Sequence, residues 1–143
     1  MAGASPMQRT VIRWVFWLLA VFCLWVTWVP GKASLVEETG RITRVYPHRA
    51  WVDVDITTDS GRLLQCSGKS WSKRCPEDAF LELQASATPV TVKYRGKTPY
   101  EVTAGDRIIV AYADFRQAQG VMLLVVLLLL GMGYIAGRPQ QDD

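Results

Sequence analysis

Asparagine does not occur among the 143 residues of this chain, so no N-x-S/T glycosylation acceptor exists in it. Histidine occurs once, as His48 in a Pro47-His48-Arg49 turn. Without a second imidazole or a free thiolate beside it, a conventional transition-metal site lacks its ligands, and the default for His48 is a surface turn. Charge of one sign never accumulates: 16 Lys and Arg stand against 13 Asp and Glu, and the net +3 is scattered rather than gathered into a patch. Nucleic-acid binding therefore has no electrostatic footprint. Internal repeats and low-complexity segments are also missing.

The motifs of phosphate and acyl chemistry are incomplete. Gly68-Lys69-Ser70 resembles the end of a phosphate-binding loop, but Leu63 stands where the first glycine belongs, and Gly96-Lys97-Thr98 fails in the same way at Thr91. Ser70-Trp71-Ser72-Lys73 fits the S-x-x-K of penicillin-recognising enzymes, in which a lysine activates the serine. No S-D-N accompanies it, and Lys97-Thr98 is followed by Pro99 rather than glycine. Asp53 and Asp55 share one face of a predicted strand, where two carboxylates suit acid/base work or a cation, although a solvated strand face is the commoner cause. No catalytic residue, metal or cofactor is assigned, and the chain is read as non-enzymatic.

What the sequence has in abundance is apolar length. Residues 121–130 read VMLLVVLLLL, and the uncharged run extends to Ala136, with no charge between Arg116 and Arg138. At 1.5 Å per residue, 120–136 covers about 25 Å, slightly short of a hydrocarbon core, and flanking residues from 118 to 137 complete the span. A soluble core helix would carry a polar face, which this run lacks. A second apolar run occupies 11–29, VIRWVFWLLAVFCLWVTWV, about 28 Å as a helix. Arg13 near its start has a stem long enough to snorkel, and Trp14 and Trp28 bracket it as interfacial anchors. The competing reading is a cleaved signal peptide, because Gly31-Lys32-Ala33 offers small residues at the positions a signal peptidase reads. Against it stand the length of the apolar run and its tryptophans. Trp14, Trp17, Trp25 and Trp28 fall within about 80° on one helical face, as lipid-facing bulk or as a contact for a partner helix. In the second run, Gly133 and Gly137 form one small-xxx-small pair, which suits intramolecular packing or a homo-oligomer through the membrane helices.

Between the runs the period changes from helical to alternating. Residues 40–46 and 50–57 alternate, with Val52, Val54 and Ile56 on one face and Asp53 and Asp55 on the other. Asp59-Ser60-Gly61 signals a hairpin that returns 62–66 as a third strand. Pro76-Glu77-Asp78 reads as the first turn of a helix running to about residue 85, with proline at its first position and two acids at the positive end of its dipole. Strands follow at 89–94, 100–103 and 107–112. The expected architecture is α+β: two transmembrane helices, 11–29 and 118–137, bracketing a mainly β domain at 34–117, with tails at 1–10 and 138–143. The domain is expected to be a small curved sheet or partly closed barrel, in the style of oligonucleotide-binding or SH3-like barrels, with one short helix. Residues 113–119 are expected to link the last strand to the second span, so the bilayer is the first partner.

Arg9, Arg13 and Arg138 flank the spans and favour both termini in the cytoplasm and the central domain in the periplasm of a bacterial inner membrane. Cys23 lies inside the first apolar run, which leaves Cys66 and Cys75 as a pair on either side of SGKSWSKR. Outside the cytoplasm these two are expected to form a disulfide, worth about 2.7 kcal/mol by loop closure. Trp71 in that loop, beside Lys69, Lys73 and Arg74, is the candidate contact for an envelope partner, since a rigid aromatic among cations suits binding; the alternative is a tryptophan folded back onto the barrel.

Gly40-Arg41-Ile42-Thr43-Arg44-Val45, the VTVKY of 90–94 and the Gly105-Asp106-Arg107-Ile108 strand before the second apolar run resemble the motifs of a bacterial membrane-protein family of unknown function. In that family two transmembrane helices bracket an extracytoplasmic β-domain. The resemblance implies that architecture and brings no catalytic residue, and the 66–75 loop is a departure from its pattern. The resulting expectation is an inner-membrane accessory or interaction protein. Two alternatives differ in class. One is an immunity or superinfection-exclusion protein that neutralises a toxin or phage component at the membrane, which genomic neighbourhood would discriminate. The other is a small envelope enzyme, which a pocket uniting Asp53, Asp55 and His48 would favour.

Overall fold

Alternating apolar residues in the middle of the chain have to be buried on one face, and in the computed structural model, which describes residues 5–136 and 138, that face is the inside of a curled sheet. Six antiparallel strands make it: β1 (Val36–Pro47), β2 (Trp51–Thr58), β3 (Leu63–Lys69), β4 (Val90–Arg95), β5 (Thr98–Ala104) and β6 (Arg107–Val110), in the order β3-β2-β1-β4-β5-β6. A short helix, α2 (Glu77–Ser86), joins β3 to β4. The apolar runs form α1 (Pro6–Val26) and α3 (Tyr112–Ala136). The chain divides into two compact units, Pro30–Arg116 and the remainder.

β1 organises the sheet because it is shared. Its first half pairs with β4 and its second half with β2, and Gly40 takes part in both ladders, opposite Val90 and Thr58. A Cβ at residue 40 would stand 2.6 Å from the Thr57 carbonyl oxygen and 3.0 Å from the Thr58 Cα, so the opening glycine of the β1 motif is required by close backbone approach. A bulge after Ile42 adds bend, as bulges do. At the far end of the curl the Gln65 N–H donates to the Lys97 carbonyl at 2.9 Å, linking edge strand β3 to the β4–β5 turn. The result is a half-barrel.

Its concave face is filled by Val52, Val54, Ile56, Leu64, Val90, Val92, Tyr94 and Val102, all within 1% of full burial, together with Phe80 from α2. The α2 helix packs on β1, and the Gln84 Nε2 donates to the carbonyl of Thr43, the bulged residue, at 3.1 Å. Completely burying residues of this size stabilises by roughly 1.5–3 kcal/mol each. Tyr94 is satisfied through its hydroxyl, which donates to Glu38 at 2.8 Å.

Several boundaries differ from the sequence expectation. α1 starts at Pro6 because Ser5 and Gln8 form a reciprocal capping box, a signal independent of the apolar run. It ends at Val26, where the Thr27 hydroxyl donates to the Cys23 carbonyl at 2.6 Å, so Trp28 lies beyond the helix and only Trp14, Trp17 and Trp25 share it. α3 starts at Tyr112, and the expected linker 113–119 is helical: it contains no breaker, and Asp114 complements the positive end of the dipole. The Tyr112 hydroxyl donates to the Pro30 carbonyl at 2.7 Å, and Phe115 packs edge-on against Tyr100 with centroids 5.1 Å apart. The first turn of α3 therefore belongs to the half-barrel unit.

In the other unit Ala20, Val126 and Gly133 are buried, while Trp14, Leu18, Trp25, Leu124, Leu127 and Leu128 are more than 60% exposed. A Cβ on Gly133 would lie 3.0 Å from the Phe16 Cβ and 3.7 Å from the Trp17 ring, so this glycine receives an aromatic of α1. Gly137 lies outside the described residues.

Candidate functional site

β3 continues through Ser67, Gly68 and Lys69 because its backbone stays in register with β2, Lys69 opposite Trp51. The chain then folds back over the end of its own strand. The Ser70 N–H donates to Ala50, the Ser72 N–H to Lys69 at 2.8 Å, and the Cys75 N–H to Ser72. Gly68 makes room for the return: a Cβ there would meet the Ser72 Oγ at 3.1 Å and the Cys75 Cβ at 3.4 Å. The fold-back sets Cys75, completely buried, beside Cys66.

Both cysteines are free thiols in the structure, in hydrogen-bonding contact with each other. The Cys66 thiol also donates to the Arg74 carbonyl at 3.1 Å. The hydrogen bond with Cys66, with burial second and the nearby charges of Cys66 and Asp53 after it, pushes the Cys75 thiol far above its ordinary range. Cys23 is a third free thiol, on α1.

The loop carries its aromatic outward. Trp71 is 69% exposed, and the Lys69 ammonium lies 5.6 Å from its ring centroid, within cation–π range. Arg74, also exposed, has its guanidinium 5.1 Å from the centroid of Phe115 on α3. Among the described residues no ion pair holds Lys69, Lys73 or Arg74, so the loop presents three uncompensated cations. The acids next in sequence, Glu77 and Asp78, occupy the first turn of α2.

The outer face of β2 carries a network that was not evident from the motifs. The Trp51 indole N–H donates to the Ser67 hydroxyl at 2.7 Å, and that hydroxyl donates to Asp53 at 2.5 Å. His48 Nε2 lies 3.3 Å from the other Asp53 oxygen. Asp55 is not part of it; it stands across the ladders from Arg44 and Gln65. A nucleophilic triad places histidine between serine and carboxylate. Here Asp53 holds the middle position, so His48 has no hydrogen bond through which to take the Ser67 proton. Reading the hairpin register outward from Asp59-Ser60-Gly61 pairs Asp53 with Ser67 and would have exposed this contact. Ser70 and Lys73 lie in the fold-back turn of the loop, and among the described residues no three His, Cys, Asp or Glu side chains converge as metal ligands. No protein-family model, curated protein or solved structure matches this chain.

Proposed function

We propose that this chain is a non-enzymatic accessory protein of a bacterial inner membrane, anchored by α1 and α3, with both termini cytoplasmic and the half-barrel displayed in the periplasm to another component of the envelope. One observation carries the reading. Two helices with mean hydropathy 1.7 and 2.2 flank a single folded unit, and only 6% and 11% of their most apolar windows is buried within the protein. Side chains this apolar and this exposed call for a hydrocarbon solvent. The basic residues Arg9, Arg13 and Arg138 support the orientation. The loop of Lys69, Trp71, Lys73 and Arg74 is the contact surface, and Cys66 and Cys75 are placed to staple it once a disulfide of another protein oxidises them by exchange.

The reading is tested by crosslinking intact membranes with an amine-reactive reagent that does not cross them. Lys69 and Lys73 are expected to form adducts from the periplasmic side. Lys93, whose ammonium is held 2.9 Å from Glu101, is expected to react least. Adducts that form only when the cytoplasmic side is opened would overturn the orientation, and uniform labelling of all lysines would remove the loop as the contact.

A further inference from the structure

The 66–75 loop shows which envelope component it fits. Three features coincide in it: a tryptophan that is 69% exposed, three cations without ion-pair partners among the described residues, and no acidic residue between the two cysteines. A fourth feature locates it within the half-barrel unit. Arg74 stacks on Phe115, so the loop lies against the first turn of α3, the helix whose uncharged apolar run opens at Gly120. Phe115 stands five residues before Gly120 in the sequence.

Tryptophan flanked by lysine is the composition of a headgroup layer: the indole has an apolar body and one N–H donor, and lysine lays its stem along apolar surface while its ammonium stays among phosphates. Anionic lipid adds a Coulomb attraction for each basic residue near the surface. Resting on the membrane reading above, we propose that the partner of Trp71, Lys69, Lys73 and Arg74 is the anionic phospholipid surface of the membrane in which the chain is anchored. The loop acts as a third attachment that holds the half-barrel down on the headgroups and fixes which of its faces is turned to the aqueous side.

The test uses the full chain reconstituted in vesicles of phosphatidylcholine alone or with about one third phosphatidylglycerol, and reads side-chain exposure by hydroxyl-radical footprinting. Trp71 oxidation is expected to fall severalfold in the anionic vesicles, while the exposed Leu63, at the opposite end of β3 from Lys69, keeps its rate. Each cation removed weakens docking about fivefold, so Lys69→Gln with Lys73→Gln lowers the docking equilibrium about 25-fold and restores Trp71 oxidation. Lys69→Arg with Lys73→Arg retains protection. Arg74 is left in place because it packs on Phe115. Equal Trp71 oxidation in both vesicle types, in protein that resists carbonate extraction, overturns the proposal and leaves the anchoring intact. Protection that requires native membranes and is missing from pure lipid overturns it in favour of a protein partner. Extraction of the reconstituted chain by carbonate removes the membrane reading itself, and the proposal with it.

Discussion

Replacing Gly40 with alanine adds one methyl group where β1 passes between β2 and β4, and the structure gives the consequence in distances. The new Cβ would lie 2.6 Å from the Thr57 carbonyl oxygen and 3.0 Å from the Thr58 Cα, both backbone atoms that no rotamer change moves aside. Relief requires β1 and β2 to separate by several tenths of an ångström at a residue that is also laddered to Val90 of β4. Overpacking of this kind costs roughly 1–3 kcal/mol, and the entropy gained by removing a glycine from the unfolded chain returns about 0.4–1 kcal/mol. At the middle of these ranges the net loss is about 1.3 kcal/mol, which for a unit of this size lowers the melting temperature by about 5–10 °C. The assay is thermal unfolding of the full chain in detergent, followed by near-ultraviolet circular dichroism, which reports packing around the half-barrel aromatics. Gly31→Ala is the matched control, since nothing stands within 4 Å of a Cβ there and the residue needs no left-handed backbone. If Gly40→Ala melts with Gly31→Ala, the account of β1 as the shared, bent strand fails.

Phe80→Ala empties the centre of the concave face, where the ring is completely buried, and is expected to cost about 3–5 kcal/mol, visible as rapid proteolysis of the 30–116 unit while the helices stay protected in detergent; a loss under about 1 kcal/mol would mean α2 does not seal the half-barrel. Acid is expected to destabilise the unit. Hydrogen bonding and charge from Lys93 hold the Glu101 carboxyl below its ordinary 4.5, so its contribution is complete above that pH and is lost as pH falls through the lowered value. Glu38, held down mainly by hydrogen bonds from Ser60 and Tyr94, adds in the same direction. Lys93, raised by Glu101, contributes below its ordinary 10.5 and loses that contribution as pH rises through the raised value, which sets the alkaline limb. Urea midpoints measured from neutral pH to about pH 3 check the acid limb, and Glu101→Gln should flatten it. Alkylation in denaturant without reductant is expected to label Cys23 alone in protein taken from the membrane; labelling of Cys66 and Cys75 would show that the thiols stay unpaired where the protein resides.

The strands were legible wherever burial alternated. Val52, Val54 and Ile56 against Asp53 and Asp55 is a pattern that only a one-sided sheet explains, and the Asp59-Ser60-Gly61 turn fixed the return of β3. The beginning of β1 was not legible, because Glu37, Glu38 and Thr39 are polar and are held in the sheet by pairing with β4, a long-range contact that leaves no local period. The order of the strands was hidden for the same reason: the helix between β3 and β4 carries the chain across to the other side of β1. The start of α1 was written in Ser5-Pro6-Met7-Gln8, a capping signature obscured by the longer apolar signal behind it. In the loop, composition singled out Trp71 and its cations. The fold-back that joins Arg74 to Phe115 depends on Gly68 and on tertiary packing, which sequence spacing does not encode.

The claim on which the rest depends is that α1 and α3 lie in lipid. Membranes from cells making the full chain, washed in alkaline carbonate and pelleted, are the direct measurement. The account predicts that the chain stays in the pellet and is released only by detergent. Recovery of intact, folded chain in the carbonate supernatant would contradict it.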